Sequence, residues 1–116
     1  MTFDDVCAIA LAWPGVERST SYGTPALKVK GKLLARLRED GETLVVPGVG
    51  FDEREMLIEA EPEVFHLSPH YRDWPIVLMR LPKAGADAVE ALLLRRWREA
   101  APKRLVKDFD AARVDQ

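Results

Sequence analysis

From Tyr22 to Val46 the chain reads YGTPALKVKGKLLARLREDGETLVV, three short runs separated by two tight turn signals. Side chains of a strand alternate between its two faces with period two. Leu27 and Val29 therefore point one way and Lys28 and Lys30 the other. In the next run Leu33, Ala35 and Leu37 share a face, and Arg36 and Arg38 share the opposite one. The pattern predicts strands over Ala26–Lys30, Leu33–Arg38 and Thr43–Val46, turning at Gly31-Lys32 and at Glu39-Asp40-Gly41-Glu42. Strands that follow directly on strands pair antiparallel. This meander would offer an apolar face to a core and a basic face to solvent or to an anionic partner.

The flanking sequence supplies helices to cover the apolar face. Thr2 suits an N-cap, and Asp5 three residues later imitates a capping box. Phe3, Val6, Ile9, Ala10 and Trp13 recur at helical spacing, so a first helix is predicted over about Phe3–Ala12, stopped by Trp13-Pro14-Gly15. Glu17–Pro25, rich in Ser, Thr and Gly, reads as a polar loop. A short helix opens at Phe51 or Asp52 and runs to about Ala60, with Met56, Leu57 and Ala60 on its apolar side. Val64–Leu67 reads as a short strand and Pro69–Trp74 as a loop. Pro75–Leu81 reads as an interior strand, because adjacent Val77 and Leu78 are both apolar. The last helix, about Ala86–Ala100, would bury Val89, Leu92, Leu93 and Trp97 before Pro102 ends it. Residues 107–116 have little apolar content and are expected to fray.

These elements make an α+β fold, a two-layer sandwich. An antiparallel sheet of about five strands is covered on one face by the N- and C-terminal helices. A length of 116 residues suits one domain. No apolar run approaches the ~20 residues that span a bilayer, and the N-terminus is acidic where a signal peptide is basic. A cytoplasmic protein without membrane contact is expected. Lone Cys7 excludes an intramolecular disulfide and fits a reducing compartment.

Net charge is −2, but the charge is segregated. Ala26–Arg38 holds five basic residues and no acidic one. Glu39–Glu63 holds nine acidic residues against Arg54 alone. Arg95–Lys107 holds six basic residues against Glu99 alone. Segregation of this kind can put a basic face on a net-acidic protein, or set an acidic element beside a basic one within one fold.

Several features occur in a telling order: the opening helix before Pro14-Gly15, Tyr22-Gly23-Thr24-Pro25 leading into a hairpin that turns at Gly31-Lys32, and His70…Trp74 leading into apolar Ile76–Leu81. A helix with the pair Leu92-Leu93 then precedes an Arg-rich turn. In this order, over nearly the whole chain, the sequence resembles the MmcQ/YjbR-like proteins. The resemblance implies a frataxin/CyaY-like fold and a DNA-binding role assigned from fold and surface charge. Ala26-Leu27 replaces the family's usual aromatic after the hairpin proline, which removes a ring that could stack on a base.

Two groups of candidate site residues follow. Lys28, Lys30, Lys32, Arg36 and Arg38, helped by Arg95, Arg96, Lys103 and Arg104, suit phosphate contacts. The plainer account of the same charges is a solvated strand face that deters edge pairing, and cations that favour a helix C-terminus. If the loops around Ser19–Thr24 and His66–Trp74 meet, Tyr22, His70, Tyr71 and Trp74 would rim a polar pocket. His66 and His70 stand four apart, but Pro69 breaks the helix that metal binding would need, so no metal or other cofactor is expected. Cys7 has acidic neighbours and reads as buried and inert. No Gly-rich phosphate loop or nucleophile elbow occurs, and no catalytic constellation assembles. The leading expectation is weak, sequence-independent nucleic-acid binding through the basic hairpin face. The alternative is a non-enzymatic protein-interaction or small-ligand module using the two loops. Oligomeric state stays open.

Overall fold

The computed structural model describes residues 1–114. Four helices accompany one antiparallel sheet of six strands: α1 (Phe3–Ala10), β1 (Val16–Ser21), β2 (Thr24–Val29), β3 (Lys32–Leu37), β4 (Thr43–Pro47), α2 (Phe51–Ala60), β5 (Phe65–His66), β6 (Ile76–Arg80), α3 (Ala86–Ala100) and α4 (Lys103–Val114). The first four strands form a meander. The chain then crosses through α2 to β5, and β6 returns between β4 and β5, giving the order β1-β2-β3-β4-β6-β5.

The segment expected as a polar loop, Glu17–Pro25, is largely β1 and the start of β2. It shows no hydrophobic alternation because β1 is an edge strand with no fully buried residue. What makes it a strand is the turn. Tyr22 and Gly23 have φ of 53° and 77°, positive at both central positions as a two-residue type I′ hairpin turn requires. Lys30 and Gly31 do the same between β2 and β3, one residue earlier than the expected Gly31-Lys32 turn.

A second departure lies inside β3. Leu27 pairs with Ala35 but Lys28 pairs with Leu33, so Leu34 is an extra residue in the ladder. This bulge lets Leu34 and Ala35 both enter the main core. It also moves Leu33 to the opposite face, with Arg36, correcting the expectation that Leu33, Ala35 and Leu37 share a side.

The main core lies between one sheet face and α1 with α3. The capping box at Thr2 closes as expected, Thr2 N donating to Asp5 Oδ2 at 2.8 Å and Asp5 N to Thr2 Oγ1 at 3.3 Å. Val6, Cys7 and Ala10 of α1 and Val89, Leu92, Leu93 and Trp97 of α3 are buried against Leu27, Val29, Leu44, Val46, Val77 and Met79. A smaller cluster of Val45, Leu78 and Tyr71 sits on the other face. Of the apolar side expected for α2, Leu57 packs against the main core, joined by Ile58, while Ala60 is exposed. Met56 is exposed and the buried residue is Arg54. The stretch expected to fray is helical to Val114, because Phe109 sets its ring edge-on against Trp97 at 5.0 Å. Residues 115 and 116 lie outside the described part.

Gly15 joins α1 to β1 with φ of 77°, and a Cβ there would meet Leu105 Cδ1 at 2.9 Å and Lys30 Cε at 3.5 Å. Gly23 has the same φ but open surroundings. A left-handed residue with a Cβ costs roughly 1–2 kcal/mol. Gly15→Ala should therefore lose about that much in urea unfolding, and at least as much as Gly23→Ala. A smaller loss at Gly15 would mean that α4 does not seat there.

Candidate functional site

Cross-strand partners share a face, so the pairings define what the sheet presents away from α1 and α3. Ala26, Arg36, Val45 and Leu78 follow one another across four strands on that side. Above them runs the segment between β5 and β6, where a 3₁₀ turn at Pro69–Tyr71 lowers Tyr71 onto Val45 and Leu78.

Arg36 is the least expected member of this face. It is only 7 % exposed. Its Nη1 donates to Thr24 Oγ1 at 3.0 Å and, at 3.4 Å, to the Leu37 carbonyl. Its Nη2 donates to Tyr71 Oη at 2.6 Å. Thr24 is itself fixed, its hydroxyl donating to the Ser21 carbonyl at 2.9 Å. The nearest carboxylate, Glu39, stands 3.7 Å away on a side chain that is 67% exposed. The Tyr22 ring lies 5.5 Å over the guanidinium carbon. A buried cation normally has a buried counter-charge; here the partners are mostly neutral oxygens.

A second buried arginine holds the overlying segment. Arg54 projects from α2 and donates from Nη1 to the carbonyls of Tyr71 (3.3 Å), Trp74 (2.8 Å) and Ile76 (3.1 Å), and from Nη2 to that of Arg72 (2.9 Å). Phe51 covers its guanidinium at 5.0 Å. Tyr71 is thus gripped by its backbone from Arg54 and by its hydroxyl from Arg36. No local pattern marks Arg54 as buried, although it is the single cation in the acidic stretch 39–63.

Between this sheet face and the overlying segment opens a cleft of ≈ 610 Å³. Leu33, Arg36, Val45 and Ile76 line its sheet side, and Tyr22, Glu39, His70, Tyr71 and Trp74 complete it. The four residues picked as a pocket from sequence all border it. Tyr22 is 88% exposed because it occupies the hairpin turn, and Trp74 is 61% exposed. His70 meets Tyr71 edge-on at 4.7 Å.

The basic residues do not form one face. Arg36 lies in the cleft. Lys28 pairs with Leu33 and Lys32 with Val29, so they point to opposite sides of the sheet. Lys30 sits in the turn, and Arg38 follows the end of β3. Arg95 makes two 2.6 Å hydrogen bonds to Glu53, which hold the Glu53 carboxyl below its ordinary range. Arg96 Nε donates to the Leu33 carbonyl at 3.0 Å. Arg98 is paired with Asp110 at 2.8 Å. Arg95 and Arg96, grouped by the sequence with the residues that suit phosphate contacts, strap α3 to α2 and to β3. Lys103 and Arg104 are exposed on α4.

His66 faces a separate polar hollow beside Asp40, Thr43 and Arg80. Burial, then Arg80 and Arg38, push its imidazole toward the neutral form. Burial also pushes the Cys7 thiol up. Among the described residues no three His, Cys, Asp or Glu side chains gather as metal ligands, and no helix is long and apolar enough to cross a membrane.

Uncharacterised proteins of Mycobacterium bovis and of two strains of Mycobacterium tuberculosis are 40% identical to this chain over 53 residues, 46% of the chain and 41% of theirs. The match thus spans less than half the length of these relatives. No solved structure gives a significant match. The YjbR family profile matches residues 11–99, from the end of α1 through the whole sheet to the last turn of α3. With most of its length inside that profile, the chain belongs to the YjbR family.

Proposed function

We propose that this protein is a non-enzymatic small-ligand-binding module whose site is the cleft beside Arg36. The observation that carries this reading is a buried guanidinium without a buried carboxylate, set among exposed aromatic side chains. Ligand sites combine apolar and aromatic walls with a few fixed polar groups, in volumes of roughly 300–1,000 Å³; this cleft matches on each count. Ligand-observed NMR with a mixed fragment library should yield binders that Trp74→Ala and Tyr22→Ala weaken about tenfold. Both side chains are solvent-exposed, so melting temperature should stay within a few degrees. A library without binders, or binders indifferent to both substitutions, would remove the reading.

A second reading, weak sequence-independent nucleic-acid binding, has support in one place. Leu105 of α4 and Lys30 both approach Gly15, which brings the start of α4 to the β2–β3 turn. Lys30, Lys32, Lys103, Arg104 and Lys107 are exposed and make no ion pair among the described residues. Binding through them would be steeply salt-dependent. Anisotropy of a labelled duplex and single strand should then fall on Lys30→Glu with Lys103→Glu, while Arg36, inside the cleft, is the wrong residue to reverse. Absence of binding at low salt, where electrostatics is strongest, would dismiss this reading.

A further inference from the structure

We infer that the cleft selects a planar aryl carboxylate, with its acid group on Arg36 and Tyr71 and its ring between the apolar wall and the aromatic rim. This rests on the reading of the cleft as a ligand site and adds the ligand's class. A guanidinium has five N–H donors. Thr24, the Leu37 carbonyl and Tyr71 take three of them. Nε–H and one Nη2–H have no acceptor among the described residues. Tyr71 Oη accepts from Arg36, so its own O–H proton remains available, and it too has no described acceptor. Two residues that line the cleft, Arg36 and Tyr71, therefore hold three donors without a described acceptor. The nearby acceptor, Glu39, is well exposed and 3.7 Å from Nη1.

Such a pair calls for a group that only accepts. A carboxylate fits because its two oxygens can meet a guanidinium edge and a hydroxyl together, in charge-assisted hydrogen bonds. Charge decides against a phosphate dianion. Arg36 is the one Lys or Arg among the residues that line the cleft, and Glu39 beside it repels a dianion more strongly than a monoanion. The rest of the ligand is set by Leu33, Val45 and Ile76 on the wall and by the exposed faces of Tyr22 and Trp74. A flat ring satisfies both, packing on the aliphatic side chains and stacking or meeting edge-on with the aromatic ones.

Matched compounds test this on the full chain by isothermal titration calorimetry: naphthoate, naphthamide, naphthyl phosphate and N-acetylphenylalanine. Naphthoate should bind about tenfold or more tightly than naphthamide, the ratio expected when charge-assisted hydrogen bonds replace neutral ones. It should also exceed naphthyl phosphate. Tyr71→Phe keeps the ring and removes the hydroxyl that accepts from Arg36 and donates to the ligand, so it should weaken naphthoate severalfold and naphthamide, whose carbonyl is a weaker acceptor, by less. This variant serves where Arg36→Gln fails to fold. Equal binding of acid and amide, or tighter binding of the phosphate, would overturn the carboxylate class while leaving a ligand cleft in place. Tighter binding of N-acetylphenylalanine would overturn the small aryl acid in favour of a peptide's terminal carboxylate. If neither these compounds nor any library fragment binds, the cleft reading and the class fall together.

Discussion

Trp97→Ala should destabilise the protein by about 3–5 kcal/mol, the usual loss for deleting a large aromatic from a packed core. Trp97 has no exposed surface. Its indole Nε1 donates to the Pro14 carbonyl at 3.0 Å, fixing the chain where α1 gives way to β1. Its ring stands 6.4 Å from that of Trp13 and 5.0 Å from that of Phe109. One side chain thus joins the α1–β1 connection, α3 and α4. Truncation would leave a cavity, an unpaired carbonyl and a detached α4 together. Total stabilities of about 5–15 kcal/mol are ordinary for a domain, so the variant should be partly unfolded at physiological temperature. Urea unfolding measures the loss, and amide exchange along α4 should rise to that of an unprotected segment. A loss below about 1.5 kcal/mol with α4 still protected would show that the C-terminal helix is held by something else.

Arg54→Ala should cost about 2–4 kcal/mol, with its largest effect on the cleft. Hydrogen bonds to a charged group contribute about 1.5–3 kcal/mol each, and they are not additive. Arg54 makes four of them, all to carbonyls of Tyr71–Ile76. That segment is then without its clamp from α2. Tyr71 would lose its backbone anchor, and its hydroxyl would no longer be presented to Arg36. Amide exchange over 71–76 should quicken, and ligands of the cleft should be lost under conditions where the sheet remains folded. Arg54→Lys should rescue little, because an ammonium cannot span four carbonyls as a planar guanidinium does. Wild-type ligand affinity in a folded Arg54→Ala variant would mean that the cleft does not depend on the clamp.

The two arginines also mark where local reading of the chain stopped. The Leu27/Val29 and Lys28 alternation was legible, as were the capping box at Thr2 and Asp5 and the stripe Val89, Leu92, Leu93, Trp97, because each is a period imposed by one element on its own residues. The cleft aromatics could be singled out, since Tyr22 stands before a glycine and His70, Tyr71 and Trp74 crowd a short proline-bounded loop. β1 was hidden because an edge strand exposed to solvent needs no hydrophobic alternation. The α4 helix was hidden because its anchors, Phe109 against Trp97 and Leu105 beside Gly15, have their partners on other elements.

By itself, then, the sequence determined the strand and helix periods, the antiparallel order and the segregation of charge. Whether a charge faces water or the interior is a different question. Arg36 and Arg38 occupy equivalent places in the alternating pattern, yet Arg36 is buried between Thr24 and Tyr71, while Arg38 lies beyond the last residue of β3. Desolvation depends on what lies across the sheet and above it: the extra residue at Leu34, the 3₁₀ turn at Tyr71 and the clamp from Arg54. Those neighbours are distant in the chain, and only the folded structure brings them together to turn an apparent basic ribbon into the floor of a cleft.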